Sequence, residues 1–152
     1  MQHRDRDFHR CLNPKTDHCI PNPQFLHRDC LQDFYGDGSL DVIVANQNQP
    51  VKIYRNYTDP NHNWVGFDLE GTISNRSAVG AIVILHWDGK RSRKSVTAGE
   101  AFSSQSQKVV HFGLGEVDRV EKAEIRWPSG IVQSIENIEL NINHKITEPS
   151  SE

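Results

Sequence analysis

The chain has 152 residues, of which 36% are hydrophobic and 24% charged, and a formal net charge of -3. That length holds one ordinary domain, or one domain and part of a neighbour, with a modest core and none of the composition of a disordered chain. A mildly acidic chain has no global positive field, which excludes general attraction to nucleic acid or to an anionic membrane.

Residues 1–31 are rich in His, Asp, Arg, Asn and Pro, and Pro14, Pro21 and Pro23 break any helix, so an irregular arm is predicted there. No apolar run of seven residues occurs in the first thirty, which argues against a signal-peptide core or a membrane helix in this stretch. The arm carries all three cysteines, Cys11, Cys19 and Cys30, with His3, His9, His18 and His27 among them. Gaps of seven and ten residues are wider than the close pairs of structural zinc sites. One disulfide with a leftover thiol, and three reduced cysteines, remain as alternatives.

From Leu40 the texture becomes that of strands. Leu40 to Ala45 and Val51 to Tyr54 are β-branched runs, and Trp64 to Leu69 alternates apolar and polar residues. Further strands are predicted over 79–87, 92–97, 108–112, 120–127, 131–135 and 144–147. Asp88-Gly89 is the dipeptide of a tight hairpin whose two central residues need positive φ. Pro128-Ser129-Gly130 predicts a second hairpin, with Pro fixing φ and Gly accepting the left-handed region. Short strands at regular spacing, with no helical repeat between them, predict an all-β fold, an antiparallel β-sandwich-like domain preceded by a loop-linked strand pair.

The strongest local chemistry is Asp33-Phe34-Tyr35-Gly36-Asp37-Gly38-Ser39-Leu40-Asp41. Calcium takes six to eight hard oxygens, and a tight loop can aim the carboxylates of Asp33, Asp37 and Asp41 inward while Ser39 offers its backbone carbonyl. Gly36 and Gly38 allow the sharp turn that gathers carboxylates which would repel one another without an ion. The loop is not an EF-hand, because Val44 stands where a bidentate Glu is required and a strand follows instead of a helix. Tyr35 occupies a position where Asp or Asn would serve better, so the expected calcium affinity is weak, roughly 10⁻⁴ to 10⁻³ M. An Asp/Gly turn without metal is the alternative.

These residues, followed by Val42-Ile43-Val44-Ala45-Asn46 and Tyr54-Arg55-Asn56, resemble the tail of an FG-GAP or VCBS-type β-propeller repeat. Downstream, Asn63-Trp64, Ser74-Asn75-Arg76 with Val79-Gly80-Ala81, Ala98-Gly99-Glu100, Ser104-Gln105-Ser106, His111-Phe112-Gly113-Leu114-Gly115 and Trp127-Pro128-Ser129-Gly130 resemble the ASPIC/UnbV domain. Together the resemblances cover about residues 33 to 149. They divide the chain into an arm at 1–31, a calcium loop and strand pair at 32–58, and an ASPIC/UnbV-like sandwich at 62–149. They imply a secreted or cell-surface protein with adhesion or scaffold roles, and no established catalysis. About two blade-like strands cannot close a propeller, so those strands are expected to pair with the following domain, to remain an edge, or to pair with another copy of the chain.

Other features have plainer readings. The Gly-x-Gly of residues 113–115 is followed by no helix, which makes it a strand end in a tight turn and not a phosphate loop. In the basic run Lys90-Arg91-Ser92-Arg93-Lys94, alternation separates Arg91 and Arg93 from Lys90 and Lys94. Trp64, Trp87 and Trp127 are either core filling or a stacking platform for a sugar. Asn56-Tyr57-Thr58 and Asn75-Arg76-Ser77 are glycosylation sequons. Ser103, Ser104 and Ser106 near His111 do not make a triad by proximity in sequence. The expectation is therefore a non-catalytic, extracellular, calcium-stabilised binding, adhesion or assembly module. A carbohydrate-binding module using exposed Trp and basic residues, and a hydrolase hidden in a β fold, are the alternatives. Expected partners are proteins or further copies of the chain, with polysaccharide also open; no nucleic acid and no membrane span are expected.

Overall fold

The computed structural model describes residues 27–46, 50–57, 61–99 and 105–150. Ten strands form three sheets, and no helix occurs among the described residues. The chain divides into two units, one drawn from Met1–Asp59 and Gly99–Gln107, the other from Pro60–Ala98 and Lys108–Glu152.

The first unit is built on a three-stranded antiparallel sheet of β1 (His27–Gln32), β2 (Asp41–Asn46) and β3 (Lys52–Tyr54). All of β1 but Gln32 lies inside the span predicted as irregular arm. Its sequence, HRDCLQ, lacks apolar alternation, and it is a strand because β2 supplies its hydrogen-bond partners in the register Cys30 to Ile43 and Leu31 to Val42. A polar edge strand leaves little periodic trace, since its conformation is set by its neighbour. The backbone of residues 106–107 runs beside β1: the Gln107 amide donates to the Leu31 carbonyl (3.0 Å), and the Leu31 amide donates to Ser106 Oγ (3.2 Å). Residues 99–107 thus group with this unit although they interrupt the span expected to be one continuous sandwich.

The second unit has two sheets. In one, β4 (Asn63–Glu70) lies between β7 (Val110–Gly115), antiparallel, and β10 (Asn143–Thr147), parallel. The other is antiparallel throughout, in the order β6 (Lys90–Ser95), β5 (Ile82–Trp87), β8 (Lys122–Arg126), β9 (Val132–Glu136). Alternation sends Val65, Phe67 and Leu69 of β4 and Val110, Phe112 and Leu114 of β7 into the same buried cluster as Val83 and Leu85 of β5 and Ala123 and Ile125 of β8. The two sheets therefore share one core in the manner of a sandwich. Phe67 meets Phe112 edge-on at 6.1 Å, and each fully buried side chain of this size contributes about 1.5–3 kcal/mol of hydrophobic stabilisation.

Turn chemistry behaves as the residues demand. Asp88 and Gly89 both have positive φ (46° and 67°) and join β5 to β6. The 127–131 turn is closed by the Gly130 amide donating to the Trp127 carbonyl (2.9 Å), with Gly130 at φ 92°. The strand expected from Val79 begins only at Ile82, because Ala78 (φ 51°) and Gly80 (φ 95°) hold a left-handed turn that no ladder can include. Gly115, at φ 64°, ends β7.

Candidate functional site

The acidic loop is the tip of the β1–β2 hairpin. Gly36 and Gly38 take positive φ (70° and 82°), which turns the backbone round the Asp33 side chain. The Asp37 amide donates to Asp33 Oδ1 and the Gly38 amide to Asp33 Oδ2, both at 3.0 Å. The Ser39 amide donates to Asp37 Oδ1 (3.0 Å). Asp41, at 0% exposure, accepts the Phe34 amide on Oδ2 (3.1 Å) and the Asn56 amide on Oδ1 (2.8 Å), so it fastens both ends of the loop and the segment after β3.

The hairpin brings Asp33, Asp37, Ser39 and Asp41 to one tip, but each carboxylate faces its own set of amides. Among the described residues no three His, Cys, Asp or Glu side chains come together as a metal-holding group. A positive charge is nonetheless present at the loop. Arg55 Nη2 lies 3.0 Å from Asp37 Oδ2, and its guanidinium sits 4.2 Å above the ring of Tyr35 and 5.4 Å from that of Tyr57. The Arg55 hydrogen bond holds the Asp37 carboxyl below the usual aspartate range, and Asp37 in turn raises the pKa of Arg55. Tyr35, the residue least suited to ligate calcium, thus serves as the platform for an arginine. In kind, the four oxygen-bearing residues fit a hard cation, since a carboxylate oxygen that accepts one amide retains a second lone pair. In arrangement, Asp37 is shared with Arg55.

Sequence reasoning assigned no role to Arg55, and it overlooked a second carboxylate altogether. Glu148, at 2% exposure, accepts the amides of Thr72 (2.9 Å), Ile73 (3.0 Å) and Ser74 (2.7 Å) on Oε2, and the hydroxyls of Ser74 (2.8 Å) and Ser129 (2.5 Å) on Oε1. Burial pushes its pKa up, but the hydrogen bonds, led by Ser129 and Ser74, prevail and bring it down to about 2. The Glu148 amide also donates to the Glu70 carbonyl (2.9 Å). This nest ties the chain after β10 to the 72–74 loop and the 129 turn, and no local pattern marks it because its partners lie 19 and 74 to 76 residues away.

The three tryptophans separate. Trp127, 3% exposed, belongs to the core and Trp87 packs against it, while Trp64 lies on the opposite face of its sheet, stacked on His111 at 5.5 Å. The β5–β6 register pairs Arg91 with His86 and Arg93 with Ile84, but Lys94 with buried Val83, so the basic run is split between two faces. Lys94 Nζ donates to the His111 carbonyl (2.7 Å), and burial lowers its pKa. The Asn75 amide group bonds Val79 through both its nitrogen and its oxygen, each at 2.9 Å, which commits that sequon side chain to a turn. Cys30 is a free thiol in β1; Cys11, Cys19, Ser103 and Ser104 lie outside the described residues. No helix among the described residues is long and apolar enough to cross a membrane.

A family model described as ASPIC and UnbV matches residues 71–152, more than half of the chain. No curated protein matches the chain.

Proposed function

Because the chain belongs to the ASPIC and UnbV family, we propose that it is a non-catalytic binding and assembly module working outside the cell or at its surface. The observation that supports this reading is the β1–β3 sheet, whose described apolar side chains lie on both faces and, apart from buried Val44, stay partly exposed. The register places Cys30, Ile43 and Ile53 on one face and Leu31, Val42 and Tyr54 on the other. Ile53 is 44% exposed and Leu31 36%, and every residue of the large buried cluster belongs to the second unit. A sheet with two apolar faces is suited to being covered, and its three-residue edge strand β3 offers unpaired backbone groups to another strand. The occupant proposed is a second copy of the chain. Sedimentation across a wide concentration range should show wild-type mass rising with concentration, while Ile53→Lys remains a monomer. A wild type that stays monomeric throughout would remove self-assembly.

Calcium binding at Asp33, Asp37, Asp41 and the Ser39 carbonyl is part of the proposal, with Arg55 and the ion competing for Asp37. The ion would draw the three carboxylates together, neutralise them and stiffen the hairpin tip. With a dissociation constant of about 10⁻³ to 10⁻⁴ M, about 5 mM calcium should stabilise the folded chain by ~1–2 kcal/mol. Arg55→Gln, which frees Asp37, should enlarge that calcium-dependent rise in melting midpoint. Equal midpoints with and without calcium, in both proteins, would remove the metal.

A further inference from the structure

The outward face of the β10-β4-β7 sheet carries a set of groups that the core does not use. Since Val65, Phe67 and Leu69 point into the core, Trp64, Gly66, Asp68 and Glu70 point away from it. The register sets Gly113 beside Trp64, His111 beside Gly66, Lys145 beside Asp68 and Thr147 beside Glu70. These residues form one strip about 20 Å long, the rise of six residues of β4.

At one end of the strip, Trp64 and His111 are stacked with their rings 17° from parallel. Beside Trp64, Gly113 leaves bare backbone, with nothing within 4 Å of where a Cβ would stand, while in the middle of the strip the Asn143 side chain covers buried Gly66. At the other end a cavity of about 310 Å³ opens among Asp68, Glu70, Arg76, Lys108, Lys145 and Thr147. Three of the charged groups there are engaged, since Arg76 Nε pairs with Glu70 Oε1 at 3.0 Å and Lys108 Nζ donates to Ser77 Oγ at 2.8 Å. Asp68 and Lys145 are cross-strand neighbours lining the same cavity, yet neither side chain forms a hydrogen bond or ion pair with any described residue.

We infer that this strip is a saccharide-binding site, and that its ligand is an oligosaccharide carrying carboxylates. A free carboxylate beside a free ammonium suits a pair of neighbouring hydroxyls, because a hydroxyl both donates and accepts: one donates to Asp68 while the other accepts from Lys145. The exposed part of the Trp64 ring is a flat apolar surface for the C–H face of a sugar, with its indole held in place by His111. Three cations against two carboxylates line the cavity, a surplus of one positive charge that favours a uronate over a neutral sugar. The same surplus is too small for nucleic acid, whose binding rests on many phosphate contacts. The site is on the second unit and is independent of the β1–β3 assembly surface.

Titration of the whole chain with an oligogalacturonate, followed by calorimetry and tryptophan fluorescence, tests the site. Wild type should bind and its emission should change. Lys145→Ala, an exposed position, should weaken binding at least about tenfold, or about 1.4 kcal/mol, with an unchanged melting midpoint. Trp64→Phe should remove the fluorescence response while Trp87 and Trp127 remain, and Asp68→Asn should weaken binding as well. Neutral maltohexaose should bind less tightly than the uronate. The site is refuted by absence of binding, by binding that Lys145→Ala and Trp64→Phe leave intact, or by full competition from citrate or inorganic phosphate, which would mean ion exchange on a charged surface.

Discussion

Single carboxylates in this protein take their character from what donates to them. Glu148 is buried without a cation among the described residues, and five donors from the 72–74 loop and Ser129 make its ionised form the stable one. Its pKa falls from the ordinary 4.5 to about 2 in the folded chain. A depressed folded value means that the unfolded chain holds the proton more tightly, so the carboxylate's contribution is complete above the unfolded value and is lost as pH falls through the window from about 4.5 to about 2. Glu148→Gln should therefore lower the melting midpoint at neutral pH, and the gap to wild type should close as the pH is taken down through that window. A gap that is constant with pH would mean that the nest stabilises by shape and not by charge. Asp37 has its counter-charge in Arg55 at an exposed site, and that pair is open to screening by salt.

Among the elements, the loops between strands carry more constraint than their lengths suggest. Gly71 follows β4 at the base of the Glu148 nest, its amide donating to the Arg76 carbonyl (3.2 Å). A Cβ there would press on the Asn75 backbone carbonyl, which cannot move without opening the 71–76 loop. Gly113, in the middle of β7, has free space on its open side. Gly71→Ala should accordingly cost ~1–3 kcal/mol by chemical denaturation, the range of overpacked sites, and Gly113→Ala well under that. Similar losses for the two substitutions would show that backbone crowding at Gly71 is relieved by a small shift.

At the scale of the whole molecule, apolar burial is unevenly distributed between the two units. The second unit assembles residues of β4, β5, β7 and β8 into one cluster, including fully buried Phe67, Leu85 and Ile125. In the first, Val44 is the buried apolar residue among those described, and Leu31, Phe34, Tyr35, Val51, Ile53 and Tyr57 remain exposed. Opening a sheet costs in proportion to what it buries, so hydrogen exchange of the monomer should be much faster for the β2 amides than for the central amides of β4, β5 and β8. Self-association should slow the β1–β3 amides selectively. Uniform protection across both units would instead mean a single cooperative structure.

Strand positions, the two tight hairpins, the glycine turn at the acidic tip and the family were all legible from the sequence, because each depends on periodicity or on residues within a few positions of one another. β1 was hidden, since a polar edge strand takes its conformation from β2. The alternation of residues 64–70 is a local pattern, and it separates Trp64 from Phe67 without saying which face is covered. Only the packing of two sheets decided that Trp127 is core and that Trp64 is half-buried on the outer face of its sheet. Likewise, Glu148 with its donors up to 76 residues distant and Arg55 paired with Asp37 18 residues away exist only once the chain has closed on itself. Local chemistry determined what each segment could become, and contacts between distant segments determined which charges are shared and which are left free to bind.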